Sequence, residues 1–113
     1  MRLEPLSREH VAGLVAAASG ERTTYAWTHV PPDSATMRAY VEQALAERAR
    51  GLAIAYATVR RDDGRVIGST RFANAEHWAW PASHPLARPI EVPDAIEIGW
   101  TWLTHGAQRT AAN

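Results

Sequence analysis

The chain contains no cysteine. That removes disulfide frameworks, thiol nucleophiles, thiolate-held zinc and iron–sulfur clusters together. It contains no lysine either: all 12 basic residues are arginine, and 12 acidic residues balance them to a formal charge of zero. A dedicated nucleic-acid binder carries a basic excess or stripe, so no nucleic-acid partner is expected. The arginine and alanine bias reads as that of a GC-rich coding sequence rather than a demand for guanidinium groups. No apolar run approaches the ~18–20 residues that cross a bilayer, and Met1-Arg2-Leu3-Glu4-Pro5 lacks the apolar stretch of a secretory signal. The expectation is a cytoplasmic protein without a membrane partner. Its 113 residues suit one domain with a single modest core.

Phosphate-loop and dinucleotide glycine motifs are missing, as is the G-x-S-x-G elbow of serine hydrolases. What is present is a clear succession of periodicities. Leu3-Glu4-Pro5-Leu6 reads as a short first strand, with proline placing it near an edge. Ser7 then caps a helix bearing Val11, Leu14, Val15 and Ala18, which Gly20 closes. Residues 21–33 form a polar and aromatic loop. Asp33 or Ser34 caps a second helix, whose Met37, Tyr40, Val41, Ala44 and Leu45 recur at helical spacing, and Gly51 sits where a left-handed residue ends it.

From Leu52 the period changes to two. Ala53, Ala55, Ala57 and Val59 share one face of a strand; Ile54, Tyr56, Thr58 and Arg60 share the other. Asp62-Asp63-Gly64-Arg65 turns a hairpin into a returning strand from Val66 to Phe72. Residues 74–94, rich in proline, tryptophan and histidine, read as an irregular insertion, and Ala95 to Leu103 as a last strand. The order β-α-α-β-β-β describes an α+β domain with a mainly antiparallel sheet and two helices.

Three sets of side chains are candidates for chemistry. His77 and His84 lie seven apart in a proline-broken segment. A metal site needs three or four rigidly held ligands, so no metal is expected. Trp100 and Trp102 are two apart on a strand and share a face, either lining an apolar pocket or filling the core. Glu97, between Ile96 and Ile98, points to the opposite face from both, where Gly99 leaves room. It is either a solvated outward carboxylate or, in the apolar environment of the tryptophans, one whose raised pKa suits a general base.

Three strings taken together resemble the GNAT superfamily of N-acetyltransferases, in its ribosomal-protein acetyltransferase-like branch. Arg2-Leu3-Glu4-Pro5-Leu6 followed by Ser7 resembles that branch's first strand and helix. Gly64-Arg65-Val66-Ile67-Gly68-Ser69-Thr70-Arg71-Phe72 resembles its hairpin, and Ala95-Ile96-Glu97-Ile98-Gly99-Trp100 the start of its fourth strand. The resemblance implies acetyl transfer from acetyl-CoA to a primary amine on a small molecule or a protein N-terminus. It implies Glu97 as base, Trp102 and Leu103 as strand groups holding the pantetheine arm, and Tyr25, Trp27 and Trp100 on the acceptor side. Gln108, Arg109, Thr110, Ala111, Ala112 and Asn113 fall in the register of the family's pyrophosphate loop, with Ala111 at a glycine position. Relative to the family pattern, the strand between Gly99 and Leu103 is one residue longer, as a bulge requires. The chain reads as the N-terminal part of such a domain, expected to be weak or inactive alone. The alternative is a non-catalytic remnant or interaction subunit, pairing through its exposed last strand with another chain or a second copy.

Overall fold

The computed structural model describes residues 1–111. Strand β1 (Arg2–Pro5) leads through a 3-10 turn into α1 (Val11–Ala18); α2 (Ser34–Ala49), β2 (Ala53–Val59), β3 (Val66–Glu76) and β4 (Ala95–Leu103) follow. The strands form one sheet in the order β1-β2-β3-β4, every neighbouring pair antiparallel. The architecture is the expected α+β one.

Local chemistry explains the boundaries. Asp33 is extended, and its carboxylate accepts from the Thr36 N–H at 2.8 Å, satisfying one of the orphan donors of α2. At the other end the Leu52 N–H donates to the Glu47 carbonyl (2.9 Å) and the Gly51 N–H to that of Arg48 (3.0 Å). Gly51, with φ of 69°, supplies the left-handed residue this closure requires. The first helix starts later than its sequence suggests. Ser7 caps a 3-10 turn, Arg8–His10, and the α-helix begins only at Val11. His10 holds that turn: its Nδ1 accepts from the Ser7 N–H (3.1 Å) while Nε2 meets Glu4 (3.1 Å).

The two-residue period of β2 decides the layering. Ala53, Ala55, Ala57 and Val59 are buried, with α2 packed against β2 and α1 against β3. Alanines let the helices approach closely. Leu14, Met37, Val41 and Trp102 fill the space between helices and sheet. The opposite face carries no helix among the described residues, and it exposes Ile54, Ile96 and Ile98.

Strand β3 extends beyond its expected end at Phe72. It pairs with β4 as far as Glu76 opposite Ala95, across an irregularity in which Asn74 takes a positive φ of 51°. The irregular segment is therefore 77–94, not 74–94: cross-strand pairing carries three polar-leaning positions that have no strand period of their own. That segment is ordered by Asp94. Its carboxylate accepts from the Trp78 N–H (2.8 Å) and the Trp80 indole N–H (2.7 Å), and Arg88 lies beside it. His84 stacks on Trp80 at 4.4 Å, so this histidine serves packing. No helix among the described residues is long and apolar enough to cross a membrane.

The Trp78 N–H bond, followed by the Trp80 bond and the Arg88 charge, holds Asp94 below the ordinary aspartate value of 3.8. A carboxyl with a depressed folded-state pKa stabilises fully above its unfolded pKa, and the contribution fades as pH falls through the folded one. Acid titration followed by tryptophan emission is therefore expected to show this segment loosening only below about pH 4. Asp94→Asn is expected to loosen it already at neutral pH. An emission spectrum indifferent to both changes overturns the assignment.

Candidate functional site

Strand β4 is the organising element, because it is an edge strand with a defect. Ser69 pairs with Trp102 and Arg71 with Gly99, so Trp100 and Thr101 together oppose the single residue Thr70. This is a β-bulge. Trp100 takes the left-handed conformation in it, with φ of 52°. Holding a bulky residue there costs about 1–3 kcal/mol, a strain that concentrates at functional sites. The Thr70 and Thr101 hydroxyls, 2.7 Å apart, pin the other side.

The bulge changes which side chains meet. Under strict alternation Glu97 and Gly99 would lie on one face and Trp100 and Trp102 on the other. With one extra residue, Glu97, Gly99 and Trp102 all oppose residues of β3 on the helix-covered face, and Trp100 stacks over Arg71 of that same face. The carboxylate and both tryptophans thus share one side of the strand.

Three clefts follow this side in sequence. The first, about 290 Å³, is lined by Thr24, Tyr25, Thr28, Trp102, Leu103, Gln108 and Arg109, among others. The second, about 240 Å³, lies between Trp27, Thr28, His29 and Trp100. The third, about 280 Å³, holds Trp100, Gly99, Glu97, Asn74, Arg71 and Glu47. Thr28 belongs to the first two and Trp100 to the last two, so the clefts are neighbours that meet at the bulge.

At the first end, the Leu103 carbonyl accepts from the Tyr25 hydroxyl (3.1 Å) and the Gln108 side-chain amide (2.9 Å). Burial pushes the Tyr25 phenol above its ordinary value of 10.0, which keeps it a donor at neutral pH. Gln108 also reaches the Thr24 hydroxyl at 2.9 Å. Trp102 packs edge-on against Tyr25, with ring centres 6.0 Å apart. Its buried indole N–H has no hydrogen-bond partner among the described residues.

The structure divides the residues expected to bind ligands. Trp102, Leu103, Gln108 and Arg109 meet in the first cleft, and Tyr25 joins them there instead of standing with the acceptor-side aromatics. Trp27 is 98% exposed and shares the middle cleft with Trp100. Thr110 and Ala111 line a different cleft, against Met1 and Arg60. Ala112 and Asn113 lie outside the described residues. The left-handed residue of this tail is Arg109, with φ of 57°, two positions before Ala111. Glu97 is exposed rather than sunk among apolar rings, and its Oε2 accepts from the Asn74 side-chain amide at 2.6 Å.

Sequence reasoning passed over Arg71, the most deeply buried charge of the site at 3% exposure. It pairs with Glu47 at 2.5 Å and lies over the ring of Trp100, 4.5 Å from its centre. The sequence carried only its alternation with Ser69 and Ala73; that this face pairs with buried alanines of β2 comes from the register. An arginine at such a position is never an ordinary surface charge.

Residues 1–112 match the family model described as the acetyltransferase (GNAT) domain. No curated protein matches the chain.

Proposed function

Since the chain belongs to the GNAT acetyltransferase family, we propose that it transfers an acetyl group from acetyl-CoA to a primary amine at the neighbouring clefts beside the β4 bulge. The observation that carries this reading is the bulge itself, which turns Glu97 and the Tyr25–Trp102–Leu103 cleft onto one side of one strand.

The first cleft, open and small, suits one arm of the co-substrate rather than the whole molecule. Trp102, Leu103, Gln108 and Arg109 are the residues to hold that arm. Bound acetyl-CoA supplies an activated thioester. Glu97 takes the proton that the acceptor nitrogen must lose before or as it attacks, directly or through water. The nitrogen–carbon bond forms, the carbon–sulfur bond breaks, and the sulfur leaves as a thiolate that takes up a proton. Trp27 and Trp100 flank the path between the two ends. The acceptor is a small molecule or a protein N-terminus whose primary amine gives up its proton at Glu97.

The test is direct, because the protein has no thiol of its own. A thiol reagent added to protein, acetyl-CoA and a panel of primary amines reads only released coenzyme. Amine-dependent thiol release, with the matching N-acetyl product by mass spectrometry, is expected. Thiol release that ignores the amine, or none with any amine, overturns the reading.

A further inference from the structure

The third cleft holds two opposite charges that face each other without touching. Arg71 and Glu97 sit diagonally across the β3–β4 pair, since Arg71 opposes Gly99 and Ala73 opposes Glu97. Such diagonal positions lie about 7 Å apart at the Cβ atoms. Gly99 has no side chain to fill the space between them. A Cβ there would lie 3.0 Å from the Glu97 Oε1, so the carboxylate leans over Gly99 toward the arginine. Among the described residues, nevertheless, no ion pair joins the two: Arg71 spends one nitrogen, Nη1, on Glu47, and Glu97 accepts from Asn74.

The rest of Arg71 is unspent. Its Nε and Nη2 are both buried and have no hydrogen-bond partner among the described residues. These two nitrogens form the side-on edge of the guanidinium, the edge that grips a carboxylate through two parallel N–H···O bonds. Rings guard its faces, Trp100 at 4.5 Å and Tyr40 at 5.8 Å. Burying a pair of donors without partners is a cost that native proteins rarely accept without a use. Trp100, nearly half exposed and held in its strained bulge conformation, separates one face of the guanidinium from solvent.

We infer that this cleft is an amino-acid subsite: the acceptor carries a carboxylate next to its primary amine, the carboxylate on the Nε–Nη2 edge of Arg71 and the amine at Glu97. The inference rests on the acetyl-transfer reading for the role of the amine and adds the class of acceptor. A zwitterion supplies a negative group where donors lack partners and a positive one beside an exposed carboxylate. A plain amine leaves the arginine edge unmet.

The experiment is a calorimetric titration of the whole 113-residue chain, without acetyl-CoA, using the standard α-amino acids and the α-carboxamide of each. The amide keeps the amine and the side chain and removes only the negative charge. At least one amino acid is expected to bind at least about tenfold more tightly than its amide. Arg71→Lys keeps a cation opposite Glu47 but lacks the two-pronged edge, and it is expected to erase that preference, with circular dichroism confirming its fold. Absence of amino-acid binding, equal binding of acid and amide, or a preference that survives in Arg71→Lys overturns the inference. Failure of the parent reading appears elsewhere, as a lack of thiol release with every amine.

Discussion

Glu97→Gln is expected to slow acetyl transfer by about 100- to 10,000-fold, the range that a positioned general base contributes. The substitution is a clean probe because of where the residue sits. Glu97 is exposed, and among the described residues its side chain accepts a hydrogen bond from Asn74. Glutamine offers the same oxygen to that amide and occupies the same volume, so stability is expected to stay within about 0.5 kcal/mol. Binding of acetyl-CoA is expected to persist as well, since the Tyr25–Leu103 cleft lies on the other side of the bulge. What glutamine cannot do is accept a proton. A loss confined to turnover, with melting temperature and co-substrate affinity intact, is the signature of the base. Turnover that survives the substitution across the pH range removes Glu97 from that role.

Glu47→Ala is expected to produce the largest loss of stability, about 3–5 kcal/mol, because it leaves a buried arginine without its counter-charge. Arg71 is buried under α2, and Glu47, itself mostly shielded, is its one ion-pair partner among the described residues. Gln43, one turn earlier on α2, donates to the other Glu47 oxygen at 3.0 Å and holds the carboxylate in place. For a domain of this size the melting temperature is expected to fall by more than about 10 °C. The double variant Glu47→Leu with Arg71→Met is expected to recover most of that loss, since a well-packed apolar pair avoids the desolvation that the ion pair must offset. Thermal denaturation of the three proteins measures both effects. If Glu47→Ala melts with the parent chain, the pair is not what steadies the α2–sheet contact. If the double variant is as unstable as the single one, packing rather than uncompensated charge is responsible.

These two results bear on different levels of the molecule. Glu97 is legible from its neighbours: a carboxylate inside an Ile-Glu-Ile run on a strand, beside a glycine, stands out in any reading of the chain. Arg71 is not, because its meaning depends on which strand face it shares and on what α2 places above it. The same division runs through the fold. The Met37–Leu45 period, the Asp33 cap and Gly51 announce α2 in full, as every contact that stabilises its ends lies within a few residues. The extension of β3 to Glu76 is invisible locally, because the pairing that creates it comes from β4, some twenty residues further along.

The sequence by itself determined the periodic elements, their order, their turns and the family pattern on β4, all of which rest on interactions between residues close in the chain. It also showed an extra residue in that strand. Only the tertiary structure decided what the extra residue does. Side-chain direction in a strand alternates, so a single inserted residue reverses every position after it, and the pairing partner decides where the reversal falls. Placed at Trp100 opposite Thr70, the bulge turns the tryptophans to the side of Glu97 and leaves Trp100 stacked on Arg71. Residues far apart in the sequence thereby come to line neighbouring clefts along one strand.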